Sequence, residues 1–246
     1  MSLPRFFVPP QHIHGSTLTI DTPQELHHLR HVLRLGVGDQ LICFDGEGRE
    51  YVGTILRSTA RRVAVRIDRS SQQPTKGAAL WLAQGLPKSG RFEWVIQKAT
   101  ELGVWRLSPL LTCHTVVRLT AEQGRAKQMR WQRIAQEAAK QCRRASLPVI
   151  DPPQLLSDVL PAMNPSSLIL MPTLAVKTIP IQEALRDCTS LRAIAVLIGP
   201  EGDFSRDEVR LAERYGARPV SLGPRVLRTE TAAISTLAIL QYVLNQ

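Results

Sequence analysis

The sequence predicts two domains: a small β-rich domain over residues 1–73, then an α/β domain over residues 74–246 with a mostly parallel sheet. Up to about residue 68, apolar segments are short and separated by turn clusters such as Asp45–Gly48, as in strands joined by tight turns. Beyond residue 78, continuous apolar runs alternate with amphipathic stretches, which is typical of buried parallel strands covered by helices on both faces. The polar segment Ser70–Thr75 between them is predicted to be a linker.

The first domain is predicted to contain one helix among five strands. The helix spans Pro23–Leu35, because Leu26, Leu29 and Leu33 recur at helical spacing and Gly36 follows them. The predicted strands are Phe6–Val8, Thr17–Ile20, Gln40–Phe44, Tyr51–Leu56 and Arg62–Ile67.

The second domain is predicted to alternate strands and helices. Its third helix opens at Ser205–Glu208 with the sequence of a capping box and closes at Gly216. The predicted strands are Ala79–Ala83, Val104–Leu110, Leu168–Met171, Ala193–Ile198 and Pro219–Leu222, and the predicted helices are Phe92–Leu102, Ala121–Arg144, Arg206–Tyr215 and Glu230–Leu244.

The positive charge is concentrated in one segment. The chain carries 31 Lys+Arg and 21 Asp+Glu, a formal net charge of +10, and 25 of the basic residues are Arg, whose planar guanidinium binds phosphate in a bidentate manner. Residues 118–144 alone hold eight basic and two acidic residues. This pattern favours a nucleic-acid partner. A coding bias toward Arg, or an ordinary solvated helix with an Arg133–Glu137 pair, remains the alternative.

Several classes of protein are excluded by missing motifs. The four cysteines include no Cys-x-x-Cys pair, which indicates neither a zinc cluster nor a disulfide framework and suits a reducing cytoplasm. No segment is typical of a signal peptide or a membrane span. His27 and His31 have the spacing of metal ligands, but no neighbouring Cys or carboxylate completes a site, so no metal is expected. The motifs of P-loop kinases, dinucleotide dehydrogenases and serine hydrolases are absent.

Two loops follow predicted strands at their carboxyl ends, where open α/β sheets bind ligands. The first begins Leu197-Ile198-Gly199-Pro200-Glu201-Gly202, and the second is Leu222-Gly223-Pro224-Arg225-Val226-Leu227-Arg228-Thr229-Glu230-Thr231-Ala232. Taken as spacing alone, each is only a weak indication of a binding site.

Taken together, the two loops resemble the signature loops of the SPOUT methyltransferases and, among them, of the ribosomal RNA small-subunit methyltransferase E family. The similarity extends to Lys98–Val104, to Arg130–Cys142, and to His31–Arg34 with Gly38–Asp39, so it covers nearly the whole chain. One departure is Asp203, where the family usually has glycine.

The resemblance implies a fold and an activity. We expect a small PUA-like β-barrel domain that binds RNA, followed by a SPOUT-type α/β domain with a C-terminal trefoil knot that holds S-adenosylmethionine. The family acts as a homodimer and methylates N3 of one uridine in 16S ribosomal RNA of the small ribosomal subunit. The RNA-binding domain of one subunit is expected to present RNA to the other subunit's cofactor site.

The resemblance locates the cofactor loops, and the chemistry of uridine N3 and the pattern of charge suggest the roles of the other residues. Arg228 is expected to stabilise negative charge on the uridine carbonyls, and Glu230 to orient Arg228 or act as the base, although the two side chains would alternatively only pair with each other. The expected cofactor-binding residues are Met171, Pro172, Leu197, Ile198, Gly199, Pro200, Glu201, Gly202, Leu222, Gly223, Leu227, Arg228, Thr229, Thr231 and Ala232. The expected RNA contacts are Arg5, Arg30 and Arg34 in the first domain and Arg130, Arg133, Lys140 and Arg144 on the basic helix.

Two other functions are compatible with these loops and this charge. One is a SPOUT enzyme that methylates a ribose 2′-oxygen or another RNA base. The other is a non-catalytic assembly factor that binds ribosomal RNA through the basic helix, and affinity for S-adenosylmethionine distinguishes it from an enzyme.

Overall fold

The chain divides into two compact units in a computed structural model that describes residues 3–74, 78–88, 90–163, 168–186 and 193–244. The first unit comprises Met1–Thr75 with Ala139–Leu147, and the second comprises Lys76–Ala138 with Pro148–Gln246. Residues 139–147, which lie far beyond the sequence boundary at residue 73, therefore belong to the first unit.

The first unit is built on a six-stranded sheet in the order β1-β4-β5-β6-β3-β2. The β1 and β4 strands pair in parallel and the other neighbours pair antiparallel. In chain order the elements are β1 (Arg5–Phe7), a 3₁₀ turn (Pro10–His12), β2 (Ile13–His14), β3 (Thr17–Ile20), α1 (Pro23–His27), a π-helical turn (His28–Val32), β4 (Gln40–Phe44), β5 (Arg49–Thr59) and β6 (Arg62–Gln72).

Two predictions for this unit are wrong in part. The predicted helix begins at Pro23, but its α-helical part ends at His27 and continues as a π turn, in which Leu33 N donates to the carbonyl of His28. The chain then leaves the helix at Arg34, whose φ is +56°. The predicted linker is wrong at Ser70–Gln72, because these residues extend β6 and pair with the start of β5; its last residue, Thr75, lies outside the described residues.

The second unit is built on an eight-stranded sheet whose described strand pairs are all parallel, as the apolar runs predict. The strand order is β10-β8-β7-β13-β11-β14-β12, with β9 paired to β8. The elements are β7 (Ala79–Gly85), α2 (Arg91–Glu101), β8 (Arg106–Leu111), α3 (Ala121–Cys142), β9 (Val149–Ile150), β10 (Gln154–Leu155), α4 (Leu156–Val159), β11 (Leu168–Pro172), β12 (Ile179–Pro180), α5 (Ile181–Ala184), β13 (Ala193–Ile198), α6 (Arg206–Arg214), β14 (Ala217–Ser221) and α7 (Thr229–Leu244).

Alternate residues of the central strands enter two cores, one on each face of the sheet. In β7, Leu80 and Leu82 pack with side chains of α2, α3 and α7, whereas Trp81 and Ala83 pack with side chains of α4 and α6. Burial on both faces is the reason that these strands are apolar at most consecutive positions, and the buried polar exceptions Gln84 and Ser108 are hydrogen-bonded. The trefoil knot implied by the resemblance is compatible with this strand order and stays a prediction.

Every strand and helix predicted for the second unit is present, with ends displaced by at most two residues. The capping box at Ser205 is confirmed, because Glu208 N donates to the Ser205 hydroxyl and Ser205 N donates to the Glu208 carboxylate. The sequence did not predict β9, β10, β12, α4 or α5, which have two to four residues each and are too short for a periodic pattern.

Within the described residues, no helix combines the length and apolar composition that crossing a bilayer requires, and no group of three or more His, Cys, Asp and Glu side chains could hold a metal ion.

Cys43 is fully buried, and this burial raises the pKa of its thiol far above the ordinary value. Its thiol is therefore unreactive in the folded unit. The cysteine at position 188 lies outside the described residues.

A buried polar network joins three strands of the second unit. Asp151, 7% exposed, follows β9, and its carboxylate accepts from Arg106 Nε at 2.8 Å and from the Ser108 hydroxyl. The Ser108 hydroxyl in turn accepts from Trp81 Nε1 at 2.7 Å. The guanidinium of Arg106 lies over the Trp81 ring, 4.3 Å from its centroid. Each polar atom of the network therefore has a hydrogen-bond partner, which offsets the cost of burying it.

We predict that Asp151→Ala lowers the free energy of unfolding of the second unit by about 2–4 kcal/mol, because it leaves the Arg106 guanidinium and the buried Ser108 hydroxyl without their acceptor. Urea denaturation followed by tryptophan fluorescence measures this. Asp207→Ala is the matched control, since Asp207 is 92% exposed and 3.8 Å from Arg210. Equal stability of the two variants would contradict the network's role.

Candidate functional site

A cavity of about 320 Å³ opens at the carboxyl ends of β11, β13 and β14, close to the first turn of α7. Both loops singled out in the sequence contribute to its wall. The lining residues are Arg91, Pro172, Thr173, Leu174, Ile198, Gly199, Pro200, Glu201, Asp203, Val220, Ser221, Leu222, Gly223, Arg225, Val226, Leu227, Arg228, Thr229 and Ala232. The volume is within the range of small-molecule sites.

Buried hydrogen bonds join the two loops behind the cavity. The Thr229 hydroxyl, at the start of α7, donates to the carbonyl of Gly199 and accepts from Gln84 Nε2 at 2.7 Å. Gln84 is fully buried near the end of β7. The two loops are therefore fixed to each other and to the central strand.

The next residue of β7, Gly85, must be glycine for a steric reason. A Cβ atom at Gly85 would lie 2.5 Å from the backbone nitrogen of Pro200. A side chain there would push the Gly199–Pro200 segment away from β7 and change the shape of the cavity.

Asp203 holds the first loop closed. Its Oδ2 accepts from the Thr173 hydroxyl at 2.9 Å and from Leu174 N at 2.7 Å, and its Oδ1 accepts from Phe204 N at 2.8 Å. Its φ is +59°, the left-handed region that favours glycine, and Asp is among the few other residues that tolerate it. The departure from the family pattern therefore keeps a glycine-like backbone and adds a carboxylate that joins the loops after β11 and β13.

The loop after β8 is attached to the same segment. Cys113 N donates to Glu208 Oε1 at 2.8 Å, and His114 Nδ1 lies 3.0 Å from the carbonyl oxygen of Asp203. Loops that follow three different strands are thus held together at this edge of the sheet.

The charged side chains at the cavity are unevenly paired. Arg91, at the start of α2, lies with its Nη1 3.7 Å from Glu230 Oε1 and 4.0 Å from Glu201 Oε1. Glu201 Oε1 also accepts from Lys88 N at 2.9 Å. Arg228 lines the cavity, is exposed, and has no ion pair with any residue that the structure describes. The alternative in which Arg228 pairs with Glu230 is therefore wrong for this arrangement, since Glu230 contacts Arg91.

Most of the expected cofactor-binding residues lie in the cavity wall, and four do not. Met171 and Leu197 are fully buried in the core beneath it, so their side chains cannot contact a ligand there. Gly202 and Thr231 are exposed outside the wall. Glu230, the second expected catalytic residue, is also absent from the wall; its side chain is 14% exposed.

Sequence reasoning missed several residues of the site. Gln84 lies near the end of β7, and Arg91 lies at the start of α2. The segment after β7 also follows the carboxyl end of a buried parallel strand, as the two predicted loops do. Thr173, Leu174, Val220 and Ser221 directly follow or end predicted strands, and Arg225 and Val226 lie inside the second loop. A rule that took all residues following the parallel strands would have found most of them.

Two of the expected RNA contacts are wrong, because their charges are buried and paired. Lys140 Nζ lies 3.0 Å and 3.1 Å from the two carboxylate oxygens of Glu25, and both side chains are below 10% exposed. Arg5 is paired with Glu50, and its side chain is 10% exposed. Neither cation can reach a phosphate without leaving its partner in the interior.

The other expected RNA contacts differ in exposure. Arg34 and Arg133 are exposed, and Arg130 is exposed with its Nε 2.8 Å from Glu93 Oε1. Arg30 is half-buried and donates to the carbonyl of Ala60 at 2.9 Å. Arg144 is also half-buried, and the burial lowers the pKa of its guanidinium.

Two protein-family models match different parts of the chain. Residues 74–241 match the model of an RNA methyltransferase domain, and residues 20–68 match that of an RNA methyltransferase PUA domain. The first match covers most of the second unit with the cavity, and the second covers most of the first unit's sheet.

Similar proteins match over nearly the full chain. The ribosomal RNA small subunit methyltransferase E of Synechocystis is 34% identical over 98% of this chain and 78% of its own length, and that of Bacillus subtilis is 32% identical over 90% and 88%. The crystal structure of the Neisseria gonorrhoeae protein of that name, bound to S-adenosylmethionine, has a TM-score of 0.88 at 27% identity, covering 98% of both chains. A putative methyltransferase from Legionella pneumophila, in complex with the same cofactor, has a TM-score of 0.86 at 33% identity, also covering 98% of both chains.

We predict that substitutions of Asp203 lower the stability of the second unit least for Asn, more for Gly and most for Ala. Asn tolerates the positive φ and keeps an amide oxygen, Gly keeps only the backbone conformation, and Ala loses both. The Ala variant should lose about 2–4 kcal/mol, from backbone strain and lost hydrogen bonds. Urea denaturation tests this order, and an Ala variant as stable as the Asn variant would refute it.

Proposed function

The chain belongs to the ribosomal RNA small subunit methyltransferase E family, and we propose that it transfers a methyl group from S-adenosylmethionine to N3 of a uridine in 16S ribosomal RNA. The observation that carries this proposal is the position of Arg228, a cation at the cavity wall with no ion pair among the described residues. An unpaired guanidinium beside a cofactor cavity can stabilise negative charge on an acceptor.

The residues of the cavity fit S-adenosylmethionine. Ile198, Leu222 and Leu227 offer apolar surface for adenine, and the backbone of Gly199 approaches the cavity without a side chain. The carboxylate of the cofactor's amino-acid end is complementary to Arg91, and its ammonium group is complementary to Glu201. When bound, S-adenosylmethionine supplies a methyl group on a positively charged sulfur, which is strongly activated for transfer.

Arg228 has the central chemical role in this proposal. N3 of uridine is a poor nucleophile until its proton leaves, and the negative charge then spreads to the two neighbouring ring carbonyls. A guanidinium that is already in place stabilises that charge without reorganising during the reaction. The loops fixed by Thr229 and Asp203 hold donor and acceptor in line, which reduces the entropic part of the barrier.

Glu230 is better explained as a positioning residue than as the base. It is absent from the cavity wall, and its carboxylate lies 3.7 Å from the Arg91 guanidinium. We propose that Glu230 holds Arg91 against the cavity, and that the N3 proton passes to water.

The RNA must reach the cavity with its target base unpaired, because N3 lies on the Watson–Crick edge. We propose that the exposed Arg130 and Arg133 of α3, with Arg30 and Arg34 of the first unit, contact the phosphate backbone. We also propose that the chain acts as a homodimer and in the cytoplasm, where ribosomal RNA is modified.

We predict that Arg228→Ala keeps its affinity for S-adenosylmethionine but loses about 2–4 kcal/mol of transition-state stabilisation, roughly 30- to 1,000-fold in single-turnover rate. Methylation is read by reverse transcription, since an N3-methylated uridine stops the polymerase at one position. The substrate is small-subunit RNA from a strain lacking this enzyme.

Arg214→Ala is the matched control, because Arg214 is exposed at the end of α6 and outside the cavity. Near-normal methylation by Arg228→Ala would refute the role of Arg228. Cofactor-dependent methylation without a reverse-transcription stop would favour a ribose 2′-oxygen, and failure to bind S-adenosylmethionine would favour a non-catalytic assembly factor.

We predict that Glu230→Gln retains kcat within about tenfold and keeps the wild-type shape of the pH–rate profile, while KM for S-adenosylmethionine rises. Loss of a general base would instead cost about 10²–10⁴-fold and remove the acidic limb of the profile. The double variant with Arg91→Met should show non-additive effects, because the two side chains act as a pair. Additive losses would contradict the pairing.

A further inference from the structure

A second cavity, of about 460 Å³, lies in the first unit between the helical segment and the turn that joins β5 to β6. Arg30, one of the residues that we propose to contact the RNA backbone, lies in its wall. Its lining residues are Asp21, Pro23, Leu26, His27, Arg30, His31, Ala60 and Arg61.

The guanidinium of Arg30 is fixed on one side and unsatisfied on the other. Its Nη1 donates to the carbonyl of Ala60 at 2.9 Å, which anchors the side chain across the hairpin turn. Its Nη2 is buried and has no acceptor among the described residues. A buried donor without a partner costs free energy, which is recovered when the guanidinium turns this nitrogen toward an anion in the cavity.

Further donors converge on the same cavity. His27 and His31 are exposed on one side of the helical segment, with ring centroids 5.0 Å apart, and Arg61 is exposed in the hairpin turn. The acidic residue in the wall is Asp21, whose Oδ1 lies 3.2 Å from His12 Nδ1. The cavity is thus lined by two guanidinium groups and two imidazoles, and by one carboxylate that lies close to the His12 ring.

The chemistry of this donor set favours phosphate over a metal. Guanidinium groups are donors only and repel cations, and the described residues include no group of three or more side chains that could hold a metal ion. Arg forks match phosphate oxygens, and neutral imidazoles add one N–H donor each.

We propose that this cavity binds a phosphodiester group of the RNA substrate, with Arg30 and Arg61 as the charged ligands and His27 and His31 as additional donors. The inference rests on the proposed function, since RNA is the source of the phosphate. Such a site would hold the RNA backbone at one defined place on the first unit. Net charge alone does not predict this, because basic and acidic residues are nearly equal in number over residues 1–73.

The test is the salt dependence of binding of the full chain to 16S ribosomal RNA transcribed in vitro. Arg61→Gln should raise Kd about five- to tenfold and make the slope of log K against log salt shallower by about 0.7–0.9, the loss of one phosphate contact. Arg61→Lys keeps the charge and should retain most of the wild-type slope. Arg69→Gln is the matched control, because Arg69 is an exposed arginine of β6 outside the cavity.

A wild-type slope in Arg61→Gln, or an equal loss in Arg69→Gln, would overturn the proposal. Inorganic phosphate provides a second arm, read by NMR at the ring protons of His27 and His31. The proposal is supported if the ring-proton shifts change on adding the transcript and do not saturate below millimolar inorganic phosphate. If the shifts saturate at micromolar phosphate, the cavity binds the free ion and the proposal is overturned.

The proposed methyltransferase function and the proposed phosphodiester site are tested by different measurements. Cofactor binding and methyl transfer at saturating RNA test the proposed function, and Kd with its salt slope tests this cavity. Arg61→Gln should therefore raise Kd for RNA while its affinity for S-adenosylmethionine stays at the wild-type value, because Arg61 lies outside the cofactor cavity.

Discussion

The hydroxyl of Thr229 is the contact on which the functional site depends. It connects the carbonyl of Gly199, after β13, with the buried amide of Gln84, near the end of β7. Because Thr229 is also the first residue of α7, the same hydrogen bonds fix the start of that helix and the loop before it. The two sides of the cavity wall are therefore joined by hydrogen bonds that are buried away from water.

A second constraint is that buried charge must be paired. Asp151 with Arg106 in the second unit and Glu25 with Lys140 in the first are ion pairs with at least one buried side chain, and removing one partner destabilises the fold. Arg228 has the opposite arrangement, an exposed cation without an ion pair in the described part of the chain. Burial against a carboxylate therefore distinguishes the arginines and lysines that stabilise the fold from the exposed ones, which a ligand can contact.

Much of the fold could be predicted because β7, β11 and β13 of the second unit are largely apolar at consecutive positions, which is typical of strands buried on both faces. The short strands β9, β10 and β12 escaped prediction, since two residues carry no period. The end of α1 also escaped prediction, because Leu26, Leu29 and Leu33 keep an apolar spacing although the hydrogen bonding changes after His27. The two loops of the site were identifiable from their residues, but Gln84 was not, since a single polar residue in an apolar strand has no local signature.

The sequence by itself determined the alternation of strands and helices, the capping box at Ser205, the two loops of the site, and the family through the motifs in those loops. Only the tertiary structure decided which charges are free. Lys140 and Arg133 share a basic helix, yet one is buried against Glu25 and the other is exposed. The physical reason is that an ion pair joins residues far apart in the chain, so its partner and its burial depend on packing that no local pattern encodes. The same holds for Asp203, whose carboxylate gains its role only where Thr173 and Leu174 come within hydrogen-bond distance.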